Sequence, residues 1–141
     1  MGGLPHLATI LSAIVFFGIG AVWYNALQRP WLEGVGKTFE QLMAEQGSSP
    51  LPYAIGFVAI LIMCYTLAHL IVRTGSSTLA GGMRIGALVA LGLVGAMLAL
   101  NYGFESRPAA LWLVNAGYAL VGLTLAGGII GGWKRRDRHR A

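Results

Sequence analysis

Charge is what this sequence has least of. Of 141 residues, 11% are Asp, Glu, Lys or Arg, while 56% are hydrophobic. The shortage is concentrated: no charged residue lies between Met1 and Gln28, between Gln46 and Val72, between Ile85 and Phe104, or between Pro108 and Trp133. Windows of that kind are foreign to soluble domains. Cysteine is almost absent too, and Cys64 alone excludes an intramolecular disulfide and any cysteine-based metal spacing. The charge-free windows hold no carboxylate, and no serine, cysteine or carboxylate arrangement suits nucleophilic or paired acid–base catalysis. The expectation is a protein that is not an enzyme and needs no cofactor or metal. The first window also lacks the basic leader and small-x-small cleavage site of a signal peptide, so it should persist as a helix.

What is present is membrane-spanning material. Crossing roughly 30 Å of hydrocarbon takes about 20 apolar residues at about 1.5 Å each, which every window supplies. Spans are expected over residues 7–26, 51–72, 82–102 and 109–133, forming one four-helix transmembrane domain over residues 1–133. Arg84 snorkels to the interface if the third begins before it. The predicted fold is an all-α membrane protein, an up-down bundle of four transmembrane helices with a short amphipathic surface helix in the first outer loop.

Orientation follows from the basic residues. Lys134, Arg135, Arg136, Arg138 and Arg140 follow the last span, in a tail over residues 134–141, and Arg73 and Arg84 flank the connection between the second and third spans. They outnumber Arg29, Lys37 and Arg107 on the other side. The positive-inside rule then makes both termini cytoplasmic. Trp23, Trp31 and Trp112 fall near the outer interface and Trp133 near the inner one. The tail is too short and too bare of a recognition fold for nucleic acid, so anionic lipid of the bilayer is its expected partner.

Within the first outer loop, GVGKT at Gly34–Thr38 resembles part of a phosphate-binding loop. The full motif needs a glycine five positions before Gly36, where Trp31 stands, and a preceding β-strand, where a membrane helix is expected. TFEQ, from Thr38, reads instead as a capping box, with Gln41 reaching back to the cap. Phe39, Leu42, Met43 and Gln46 then share one face of a short surface helix.

The runs GAVWYNALQRPWLEGVGKTFEQL and NYGFESRPAALWLVNAGYALVGLTLAGGIIGGW carry a further signal. Together they resemble the bacterial membrane proteins grouped as domain of unknown function 1761. In that group a Trp-Tyr pair closes the first helix, an aromatic-rich loop with a second Trp follows, and a Phe-Glu turn precedes an Asn-Ala-Gly-Tyr-like last helix. Trp23, Tyr24, Trp31, Phe104, Glu105, Asn115, Gly117 and Tyr118 occupy those positions here. The resemblance implies a small four-span protein of a bacterial cytoplasmic membrane, and no particular activity.

Polar groups inside a membrane are costly and mark candidate sites. Asn25, Asn101 and Asn115 fall toward the outer span ends with Tyr24, Tyr53, Tyr102 and Tyr118, and Glu105 lies in the adjoining loop. They form either a polar pocket open to the outside or hydrogen-bonded links between helices. His69 shares a face with Thr66 and Arg73 and is a candidate proton carrier or pigment ligand, or else a packing residue. Gly82 with Gly86, Gly92 with Ala96, Gly95 with Ala99, and Gly127 with Gly131 form small-residue faces that admit close helix approach. These lead to two expectations. The first is a non-catalytic membrane protein acting through helix packing, with itself or as an accessory subunit beside other membrane subunits. The second is a small transporter or channel whose site is the outer Asn and Tyr cluster.

Overall fold

The computed structural model describes residues 3–140, with side chains through residue 133. Among the described residues there are six helices and no strand. Four are long and apolar enough to cross a bilayer: α1 (His6–Ala26), α4 (Leu51–Arg73), α5 (Leu79–Phe104) and α6 (Ala109–Arg140), whose apolar stretch runs to Trp133. Between the first two lie α2 (Gln28–Val35) and α3 (Phe39–Gln46). The expected bundle is therefore present, with one short helix more than foreseen. The basic side chains Lys134, Arg135, Arg136, Arg138 and Arg140 lie outside the described ones, although the helix backbone continues through them.

Helix α6 is the hub of the bundle, packing on α5 most extensively and also on α1, α4 and α2. Its core gathers Ala13 and Phe16 of α1, Cys64, Leu67 and Ile71 of α4, Ala90 of α5, and Leu123, Ala126 and Ile130 of α6. The exterior is apolar as well: Leu7, Ile14 and Val22, Ile55 and Ile62, and Leu88, Leu93 and Met97 are all exposed. Lipid tails solvate such a surface, so close fit rather than hydrophobic burial must hold the helices together. The α5–α6 seam shows how. A Cβ on Gly82 would run into the Gly127 carbonyl, one on Gly86 into that of Leu123, and one on Gly131 into that of Thr78. These glycines face each other within one chain. Gly92 instead is exposed, with nothing within 4 Å of where its Cβ would stand, while Gly95 is buried.

Halfway along, α5 widens into a π-helical stretch over Ala90–Gly95. There the Trp112 indole donates to the Gly95 carbonyl at 2.8 Å, fixing α6 to the widened turn. Thr9 and Ser12, buried on α1, donate to the carbonyls of Pro5 and Ala8 one turn back, so neither hydroxyl is left unpaired in the core.

The GVGKT stretch is resolved into two helix ends. Gly36 takes φ 80° as the left-handed cap of α2, its N–H meeting the Leu32 carbonyl at 2.9 Å. Two residues earlier, Gly34 packs where a Cβ would lie 2.7 Å from Leu111 Cβ of α6. Thr38 caps α3: its hydroxyl accepts from Gln41 N–H at 3.1 Å, and Gln41 Oε1 accepts from Thr38 N–H at 2.9 Å. The motif thus ends one helix, begins another and holds α2 against α6.

Candidate functional site

The α2–α3 end of the bundle gathers most of the aromatic side chains that the sequence distributes over separate spans. Tyr24, near the end of α1, donates its hydroxyl proton to Asn115 Oδ1 of α6 at 2.7 Å. Asn115 Nδ2 in turn donates to the Tyr102 hydroxyl of α5 at 2.7 Å. One asparagine thereby ties three membrane helices, the arrangement by which a polar side chain is tolerated in hydrocarbon. One turn further along α6, Tyr118 donates to the Phe16 carbonyl of α1 at 2.7 Å. Gly20 makes that reach possible, since a Cβ there would stand 2.6 Å from the Tyr118 hydroxyl oxygen. Next to Tyr24, Trp23 Nε1 also reaches α6, donating to the Val114 carbonyl at 2.9 Å.

Against this scaffold lies a cavity of about 470 Å³ between α1, α4 and α6, roofed by α2 and α3. Its aromatic walls are Phe17, Tyr24, Trp31, Phe39, Tyr53 and Tyr118. Gly20, Gly56, Asn25, Gln28 and Ile60 also line it, and no lining residue is charged. Tyr24 stands edge-on to two neighbours, with ring centroids 5.3 Å from Tyr118 and 5.9 Å from Trp31. A volume of this size is in the range of small-molecule sites. A larger groove of about 710 Å³ runs along Gly18, Val22 and Trp23, but it is an open apolar surface of α1.

The predicted cluster is partly brought together. Tyr24, Asn115 and Tyr118 meet, with Tyr102 as a fourth member. Asn25 reaches the cavity wall while donating to the Ala21 carbonyl of its own helix at 2.8 Å. Asn101 and Glu105 do not join: both are exposed, and Glu105 pairs with Arg107 at 2.6 Å. The reason is helical register, because Asn101 and Tyr102 are neighbours about 100° apart and only one can face α6. His69 is exposed on α4 and remote in sequence position from this end. His6 of α1 contacts Tyr65 of α4, with Nδ1 and the hydroxyl 3.0 Å apart. Trp31 and Phe39 were legible as interfacial aromatics, but the helix that carries Trp31 inward was not foreseen. Phe17, Gly20 and Ile60 carry no chemical signal distinguishing them from other apolar residues.

Four apolar helices with an apolar exterior make this a multi-pass α-helical membrane protein. More narrowly, the chain belongs to the family described as Protein of unknown function (DUF1761), which matches residues 7–131. No curated protein and no solved structure matches it.

Proposed function

We propose that the protein is a non-catalytic ligand-binding membrane protein, holding a small amphipathic molecule in the aromatic cavity, either to carry it or to present it to other membrane components. It resides in a bacterial cytoplasmic membrane with both termini inside, so the cavity faces the outer leaflet; the surplus of Lys and Arg at the opposite end supports this orientation. The observation that carries the reading is the cavity itself, neutral, walled by six aromatic side chains and braced by hydrogen bonds from Tyr24, Asn115 and Tyr118. Mass spectrometry of the natively extracted protein tests it. The wild type is expected to retain a reproducible small-molecule adduct, and Gly20→Leu, which pushes Tyr118 into the cavity, is expected to lose it with helical content intact. The same adduct level in both would refute the reading.

A second reading is favoured by a separate observation. Gly92, Ala96, Ala99 and Gly103 lie along α5 at helical spacing, all exposed, and nothing stands within 4 Å of a Cβ at Gly92 or Gly103. Such a face suits association with a second copy or another membrane subunit. If this reading holds, single-molecule photobleaching in bilayers gives a dimer fraction that Gly92→Leu lowers and Gly20→Leu leaves alone. A monomer at every protein-to-lipid ratio would contradict self-association.

A further inference from the structure

The cavity wall is unequal in what it offers. Tyr118 directs its hydroxyl proton to the Phe16 carbonyl, a group that can only accept. Tyr24 directs its own to Asn115 Oδ1. Neither phenol therefore has a proton left to donate to a ligand. Asn25 uses one amide N–H on the Ala21 carbonyl and keeps both its Oδ1 and its second N–H. The donors that remain unengaged within the chain, on Asn25, Gln28, Trp31 and Tyr53, are all neutral, and no lysine, arginine or carboxylate lines the space.

The rings add to this bias. An aromatic face carries partial negative charge, which attracts a cation within about 6 Å of the centroid. Tyr24 meets Trp31 at 74° and Tyr118 at 73°, so its ring stands nearly perpendicular to both neighbours rather than stacking on them. An anion entering this space meets electron-rich ring faces, which favour a cation instead. The lining also grades along its length. Phe17 lies seven residues before Tyr24, about 10 Å along the helix, and with Gly56 and Ile60 it makes that part of the wall apolar.

Resting on the ligand-binding reading above, we propose that the cavity takes an organoammonium group carried on an apolar body. The ammonium lies against Tyr24, Tyr118 and Trp31, and the apolar body against Phe17, Gly56 and Ile60. Two sources supply that chemistry, the head group of a membrane aminolipid and a free amphipathic amine.

Full-length protein in neutral maltoside micelles allows the test, with binding followed by native mass spectrometry. The probes are decyltrimethylammonium, decanol and decanoate. The alkylammonium is expected to bind at least ten-fold more tightly than the other two. Trp31→Leu, on the peripheral helix, and Tyr118→Phe, which keeps the ring and loses the oxygen, are each expected to weaken it three-fold or more. Equal binding of decanol and the alkylammonium, both abolished by Gly20→Leu, would overturn the ammonium preference while leaving the cavity as a ligand site. Binding of every probe unchanged by Gly20→Leu would overturn both. Displacement of the alkylammonium by short-chain phosphatidylethanolamine but not phosphatidylglycerol supports the proposal with an aminolipid as source; displacement by neither supports it with a free amine.

Discussion

Asn115 bears the most consequence for its size. Its amide joins Tyr24 and Tyr102 from two other helices, so replacing it strands two hydroxyls in a half-buried setting. Interhelical hydrogen bonds in membranes average about 0.6 kcal/mol each, and Asn115→Leu is expected to lose about 1–2 kcal/mol with the added cost of the unpaired partners. Reversible unfolding in mixed micelles would measure the loss, and a neutral result would remove the bridge from the account. Ser106 is a residue under strain. It ends α5 at φ 56°, where Arg107 N–H reaches the Tyr102 carbonyl at 2.9 Å across the turn. A side chain in that left-handed region costs about 1 kcal/mol, so Ser106→Gly is expected to stabilise by about 0.5 kcal/mol, net of the added freedom of the unfolded chain. A lowered unfolding temperature would contradict this.

Among the elements, the α5–α6 seam and the exposed face of α5 make opposite predictions for one substitution. Gly82→Ala places a methyl group against the Gly127 carbonyl, where both neighbours are backbone and cannot swing aside. A loss of at least about 2 kcal/mol is expected. Gly92→Ala meets open space, and the better helix propensity of alanine should leave stability equal or raise it by up to about 1 kcal/mol. Equal effects would mean that the two helices do not approach as described. The sequence makes the small-residue faces legible, but not which of them is already used. Gly82, Gly86, Gly127 and Gly131 match the same spacing as Gly92 and Ala96, and only the rotation of each helix within the bundle separates internal seam from lipid face. The capping box at Thr38 was legible because its residues are local. Helix α2 was not, since QRPWLEGV carries Pro30 and Gly34 and is held partly by the contact of Gly34 with Leu111, far along the chain.

On the scale of the whole molecule, charge-free windows and helix geometry sufficed for the four spans, because in hydrocarbon a backbone has few ways to satisfy itself. The cavity was only partly legible. Its polar members announce themselves by their cost in a membrane, as Tyr24, Asn115 and Tyr118 do. Its shape depends on apolar residues such as Phe17, Gly20 and Ile60, which look like every other lipid-compatible residue until the helices are packed. A ligand held in this cavity lies against its aromatic walls, and proton–proton contacts measured by NMR between decyltrimethylammonium and the protein in deuterated maltoside micelles would reveal it there. Contacts are expected from the N-methyl protons to the rings of Tyr24, Trp31 and Tyr118, lost in Gly20→Leu. Contacts spread instead along the exposed faces of α1 and α4, and unchanged in that variant, would show the probe to be dissolved in the micelle around the protein and would contradict the claim.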